Sequence, residues 1–205
     1  MRCLSLISCV VLLLGCSSAY KHLQPATGDA RDLQKFKPAF SVAMYRTNVD
    51  VVGNHLSGIL LIKRMPDSSV RMVFSNEIGF KFFDFEFSTG GGFKVFSIIK
   101  QINKKAVIKT LRRDFELIMM EGIDPSNVLI RRDDGLVYYT FHQANGYHHY
   151  ITNEPRNELV RLERSSKRKP VMEAIMRNYI KGIPDTIGIT HKNFNFTIGL
   201  KRIAR

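Results

Sequence analysis

The chain has 205 residues, 44% of them hydrophobic and 24% charged, a composition that excludes a disordered or collagen-like chain. The length suits one domain with a sizeable core, or two small ones at most. Lys and Arg number 31 against 18 Asp and Glu, and the resulting net charge of +13 draws the chain towards anionic surfaces: lipid head groups, lipopolysaccharide or nucleic acid.

All the cysteines, Cys3, Cys9 and Cys16, lie at the start of the chain. The body therefore has no disulfide, no zinc-thiolate site and no Cys nucleophile. Met1-Arg2 is a short basic head. Leu4 to Leu14 is an apolar stretch of signal-core length, too short to span a membrane as a mature helix. It runs into Leu13-Leu14-Gly15-Cys16-Ser17, which resembles the lipobox of bacterial lipoproteins. That resemblance implies cleavage before Cys16 and lipidation of its thiol and new amine. Residues 1–15 are then a signal peptide. Only Arg2 among them is charged, so the basic character belongs to the body. Ser17, where enteric bacteria use Asp for inner-membrane retention, is compatible with outer-membrane delivery. Residues 16–37 have little periodicity and contain Pro25, Gly28 and Asp29, so they are expected to be a tether. Residues 38–205 are expected to be one domain.

The domain begins with period-two alternation from Phe40 to Arg46, a strand. Ser57 to Met65 is apolar on both faces at its centre, a strand covered on both sides. After the turn at Pro66, Val70, Met72 and Phe74 share a strand face. Asn76-Glu77-Ile78-Gly79 is a tight turn, and Phe80 to Phe87 follows. Its apolar phase switches between Phe82 and Phe83, which predicts a bulge or a bend. Gly90-Gly91-Gly92 is a loop, and Phe93 to Ile99 another strand. The period then changes. Val107, Ile108, Leu111, Phe115, Ile118 and Met119 form one face of a helix over 104–120, with Asn103 as N-cap and Gly122 as stop. Strands resume over Asn127–Arg131, Leu136–His142, Tyr147–Thr152 and Leu159–Arg164, with hairpin chemistry at Asp134-Gly135 and Asn145-Gly146. Val171 to Tyr179 reads as a strand by alternation, although its propensity would also allow a helix. Ile183-Pro184 is expected to break it, before the closing strands Ile187–Thr190 and Phe194–Leu200.

About ten antiparallel strands and one central amphipathic helix make a mainly β, α+β domain. A helix of that length covers roughly 25 Å. The sheet must therefore close tightly, or curl around the helix and leave apolar space.

Catalytic and metal signatures are absent. Gly90–Gly92 leads into a strand, so it lacks the helix start of a phosphate loop. No HExxH or GxSxG occurs. His148 and His149 point to opposite faces of their strand and cannot both ligate one ion, and His142 and His191 read as surface or groove residues. Asp84 and Glu86 share a strand face that reads as solvated. No nucleic-acid recognition motif accompanies the basic charge.

A lipobox before a mainly antiparallel domain with one central helix resembles the LolA/LolB-type lipoprotein carriers. The closest local match is Val70 to Phe87, VRMVFSNEIGFKFFDFEF. LolB-type proteins place a loop of the form Thr-Asn-Pro-Leu-Gly between two such strands. Here the loop is Ser75-Asn76-Glu77-Ile78-Gly79: Asn76 and Gly79 match, Ile78 takes the Leu place, and Glu77 departs from Pro. The resemblance implies a strongly curved, incomplete barrel with a helix over an acyl-chain cavity. Phe74, Phe83, Phe85, Leu111, Phe115 and Ile118 are expected to line it, and Ile78, Gly79 and Phe80 to form a membrane-inserting loop. It implies a non-enzymatic monomer without metal or cofactor, anchored through Cys16 to the outer membrane and facing the periplasm. Its partners would be acylated lipoproteins or lipid, the inner leaflet of the outer membrane and a soluble periplasmic carrier, with no nucleic acid. The alternatives are a lipid- or glycolipid-binding envelope-assembly protein on the same fold, and a hydrolase using Asp84 or a histidine.

Overall fold

The computed structural model describes residues 18–121 and 123–203. Cys16, the signal segment and the Gly122 stop lie outside the described residues. A single antiparallel sheet of 13 strands organises everything else. In chain order the strands are β1 (Gln24–Pro25), β2 (Val42–Val51), β3 (Asn54–Arg64), β4 (Val70–Ser75), β5 (Lys81–Phe87) and β6 (Phe93–Ile98), then β7 (Val128–Asp133), β8 (Leu136–Gln143), β9 (Gly146–Asn153), β10 (Leu159–Ser165), β11 (Pro170–Ile180), β12 (Ile183–His191) and β13 (Phe196–Arg202). Their spatial order is β1-β7-β8-β9-β10-β11-β12-β13-β2-β3-β4-β5-β6. β1 and β6 are the two ends, so the sheet is not closed.

The helix α1 (Lys105–Ile118) joins β6, at one end of the sheet, to β7 near the other. It therefore lies across the concave face. Val107, Leu111, Phe115 and Ile118 are buried there, in one core with Tyr139 of β8 and Phe83, Phe85 and Phe87 of β5. Strands from opposite ends of the sheet share that core, which requires a strong curl. Two bulges assist it, one between Phe74 and Ser75 and one between Asp84 and Phe85. The bulge expected near Phe82 is thus real but displaced by a few residues.

Several expectations change. The helix starts later and ends earlier than 104–120. Lys104, not Asn103, is its N-cap and makes no side-chain capping bond. Met120 already has φ 54, so the helical path ends before residue 122. Ile183-Pro184 does not break a strand but opens β12, after a turn at Lys181-Gly182. Val171–Tyr179 is strand, as the alternation predicts.

The largest change concerns the expected tether, described from Ser18 on. Leu23 packs with Tyr138 and Ile151 in a small second core on the convex face. Gln24 and Pro25 pair with the edge of β7. The chain then rounds that edge, and Ala30, Leu33 and Phe36 of the 3-10 helix Ala30–Phe36 enter the main core. Spacing of three puts these apolar groups on one face of a 3-10 turn, a period absent from helix and strand templates.

One buried charge cluster fixes α1 to the sheet. Asp114 is fully buried on the apolar face of the helix. Its Oδ1 accepts a bond from Arg164 Nη2 of β10 at 2.9 Å, and its Oδ2 lies 2.7 Å from His191 Nε2 of β12. His191 stacks in turn on Phe196, with centroids 4.8 Å apart. Removing the carboxylate strands a buried guanidinium. Asp114→Ala is therefore expected to lower the unfolding free energy by about 3–5 kcal/mol in urea titration. A loss under about 1 kcal/mol, within the range of a surface pair, would mean that the cluster does not hold the helix.

Candidate functional site: a braced apolar loop and the cavity under the helix

The loop between β4 and β5 is built so that its tip stands out. Across it, Asn76 N–H donates to Phe80 O at 2.9 Å. The Asn76 side-chain oxygen accepts a second bond from Phe80 N–H at 2.8 Å, and Gly79 N–H donates to Asn76 O at 3.1 Å. Gly79 has φ +87, a conformation that disfavours any residue with a Cβ. Gly58 on β3 is needed for a different reason. A Cβ there would lie 2.0 Å from Ser75 O, so only glycine lets the end of β4 cross β3 this closely.

This bracing leaves Ile78 91% exposed and Phe80 57% exposed. Phe80 keeps only an edge contact with Phe82, centroids 6.0 Å apart. The loop is therefore not an apolar side chain folded back on its own hairpin. An open groove of about 720 Å³ runs along its foot, between Ile78, Ile59 and Ile203 with Arg46 at its side.

The six residues expected to line an acyl-chain cavity, Phe74, Phe83, Phe85, Leu111, Phe115 and Ile118, are all buried in the main core. They are brought together, but they fill the space rather than surround it. Phe83 stacks on Phe85 at 4.4 Å and leans on Phe115 at 6.0 Å, and Phe74 lies 5.6 Å from Phe83. Aromatic side chains from sheet and helix thus close what was expected to be empty.

The open space lies next to them, at the C-terminal end of α1. A cavity of about 330 Å³ has Val70, Phe87 and Met119 as its apolar wall and Arg64, Glu116 and His148 among its polar groups. Its roof is the Gly90–Gly92 turn, tied to the helix by Arg112, which donates to Gly91 O at 2.8 Å and to Glu116 at 2.7 Å. Val70 and Phe87 come from one half of the sheet and His148 from the other, so the cavity exists only because the sheet curls. Phe87 is also 6.2 Å from Phe115, which makes the cavity a direct neighbour of the aromatic core.

The Asp84 carboxylate is buried, not solvated as its strand face suggests. Arg71 donates to it twice, at 2.7 and 3.0 Å, and holds its pKa below the usual carboxylate value, with Lys81 assisting. Glu86 stands 3.9 Å from the same guanidinium. His148 and His149 do lie on opposite faces. His148 lines the cavity, while His149 is on the convex face between Thr140, at 2.9 Å, and Ser165, at 2.8 Å. Burial pushes both imidazoles down to about 4, so both are neutral at pH 7. Ser165 is as buried as its partner, and Tyr20 stacks over His149 at 4.4 Å. Among the described residues, no group of three or more His, Cys, Asp or Glu is placed to hold a metal ion. No helix of these residues is long and apolar enough to cross a membrane.

Sequence reasoning reached the loop and the core face of the helix but missed the cavity wall and Asp114. Asp114 was detectable. It falls between Leu111 and Phe115, on the apolar stripe of a helix, where a carboxylate needs a buried partner. Val70, Phe87 and Met119 carry no comparable signal.

No protein-family model matches the chain, and no curated protein matches it. Solved structures do. A LolA superfamily protein from Nitrosomonas europaea superposes with a TM-score of 0.51 at 6% identity, over 87% of this chain and 93% of that one. A domain from Vibrio parahaemolyticus, described as an outer membrane lipoprotein-sorting protein, gives 0.47 at 8% identity, covering 85% of this chain and 88% of that one. A DUF1329 family protein from Desulfovibrio piger gives 0.45 at 10% identity, over 84% of this chain and 87% of that one. At these identities the likeness concerns the fold alone: the unclosed, curved antiparallel sheet is similar to that of the Nitrosomonas europaea protein.

Proposed function

We propose that the protein is a lipid-anchored envelope protein that binds acyl chains between α1 and the concave sheet and helps to insert lipoproteins into the outer membrane from its periplasmic side. The observation that carries this reading is Ile78, an almost fully exposed aliphatic residue at the tip of a loop held rigid by its own hydrogen bonds. Such a tip is unfavourable in water and favourable in lipid. The shared fold with a LolA superfamily protein supports a carrier role, and the basic surface suits an acidic carrier or an anionic leaflet.

The need for a host is quantitative. Each methylene exposed to water costs about 0.8 kcal/mol, so one sixteen-carbon chain costs on the order of 12 kcal/mol. In this reading the chain enters at the cavity by Val70, Phe87 and Met119 and makes room by turning the adjacent aromatic side chains aside. Binding, not catalysis, is the role these groups suit. The Asp84 carboxylate is held by Arg71, and the Ser165–His149 pair lies sealed beneath Tyr20.

Transfer of a labelled lipoprotein from a soluble carrier to liposomes tests the insertion role. Ile78→Glu is expected to leave the melting curve and acyl-chain binding unchanged while slowing transfer about tenfold, the order of the apolar area withdrawn from lipid. Equal transfer by wild type and variant would remove the insertion role and leave lipid binding alone. Glu77→Pro is expected to be tolerated or to speed release.

The cavity has its own test. Val70→Thr with Met119→Gln keeps volume but adds polar atoms to the wall. Binding of an apolar fluorophore or an acylated peptide is expected to fall several-fold in a protein that still unfolds cooperatively. Unchanged binding would place the acyl chain elsewhere.

The anchor is tested by Cys16→Ser, which is expected to accumulate as an uncleaved precursor without lipid label. Maturation of that variant to the wild-type mass would end the lipoprotein reading.

A further inference from the structure

The sheet is antiparallel throughout, so its turns alternate between two rims. The β10–β11, β12–β13, β2–β3 and β4–β5 turns fall on one rim. The β7–β8, β9–β10, β11–β12 and β3–β4 turns fall on the other. Pairing of Ser165 with Pro170, Met172 with His191 and Phe196 with Val51 sets the first three turns of the first rim level with one another.

Those three turns form one continuous surface. The β10–β11 turn carries Lys167, Arg168 and Lys169, all exposed and, among the described residues, none within ion-pair distance of a carboxylate. The β12–β13 turn presents Phe194, 48% exposed, beside Lys192. The β2–β3 turn presents Val52, 47% exposed. The Ile78 loop points the same way, one hairpin further along and set back along the strands. The opposite rim is mixed: Asp67 and the Asp133-Asp134 turn are exposed or half exposed there, and so are Lys181 and Ile180 of the β11–β12 turn.

The described chain begins on the basic turn. Ser18 Oγ donates to Lys167 O at 3.3 Å, and Ala19 N–H donates to Arg168 O at 2.7 Å. Tyr20 then donates to the buried Glu163 at 2.7 Å, and Leu23 is buried in the convex-face core, so this segment holds its place. Whatever precedes Ser18 leaves the domain beside Lys167–Lys169.

We propose that the rim formed by the β10–β11, β12–β13 and β2–β3 turns rests on an anionic phospholipid surface, with Lys167, Arg168 and Lys169 over the head groups and Phe194 and Val52 in the interfacial layer. The basic turn supplies charge attraction, and the two tips supply apolar area. The position of Ser18 makes the same rim the place from which an acyl anchor on Cys16 would enter the bilayer. The two signals then act at one spot and orient the domain, where a long flexible tether would not. The docking itself does not require the lipid on Cys16 or acyl-chain binding under α1.

The experiment uses the chain from residue 17 onward, which keeps every described residue of the shared core. Its co-sedimentation with vesicles of mixed phosphatidylcholine and phosphatidylglycerol is compared with pure phosphatidylcholine over a salt series. The wild type is expected to bind the anionic vesicles and to lose binding as salt rises. Lys167→Gln with Arg168→Gln and Lys169→Gln should weaken partition on the order of 100-fold. Phe194→Ser should weaken it about tenfold. Lys35→Gln with Lys94→Gln and Lys181→Gln removes the same charge away from the rim and should change binding only a few-fold. Two results overturn the proposal: an equal loss in the two triple variants, which would make net charge the only cause, or no binding of the wild type to anionic vesicles, as expected if the basic turn serves an acidic protein instead. Fluorophore binding by the same samples reads the cavity separately, so failure of the docking surface and failure of the acyl-binding site are told apart.

Discussion

One apolar face has too little to cover it, and the architecture follows from that shortage. Laid flat, the eleven strand spacings from β7 to β6 would measure about 53 Å at the usual separation. The helix that connects these strands has 14 residues and is about 21 Å long. Helix and sheet can bury each other only if the sheet curls until its two halves meet over the helix. The shared core of Tyr139, Phe83 and Phe115 is that meeting. The remaining gap is closed by the 3-10 helix Ala30–Phe36, brought round the edge of β7 from the convex face.

The curl creates the two places where function can sit. Under the C-terminal end of α1 the halves do not quite close, and the cavity of about 330 Å³ remains with walls from both. Along the rim, hairpins of unequal length leave tips in water, and Ile78 is the most exposed of them. Asp114 couples these parts. Its bonds to Arg164 and His191 hold the helix against β10 and β12, so the width of the space under α1 depends on a buried ionic contact as well as on apolar packing. A charged contact is directional and an apolar one is not, so this cluster sets the position of the helix more sharply than packing alone would.

The concave face is committed to the core, and the convex face is partly sealed by the strap of Tyr20 and Leu23 over His149 and Ile151. The rims are left open, and their turns present different side chains. The basic Lys167–Lys169 turn, level with the exposed Phe194 and Val52, gives one rim a charged and apolar surface of its own.

Local periodicity by itself located most of the strands and the helix. Alternation identified the strands, including Val171–Tyr179 against its propensity, and the 3.6 period identified α1, because each depends on which side of a short segment faces the core. The Asn-x-x-Gly spacing likewise marked the loop of Ile78, whose bracing is made within five residues. What only the tertiary structure decided depends on distant residues meeting. Residues 18–37 read as a tether because their burial comes from β7, β8 and β9, more than a hundred positions away. The six expected cavity residues share one core and fill it, since whether facing side chains touch or leave a gap is set by the curl of the sheet and not by alternation. Asp84 looked solvated because its partner Arg71 comes from the neighbouring strand. The level rim of Lys167, Phe194 and Val52 follows from pairing register, which no single segment contains.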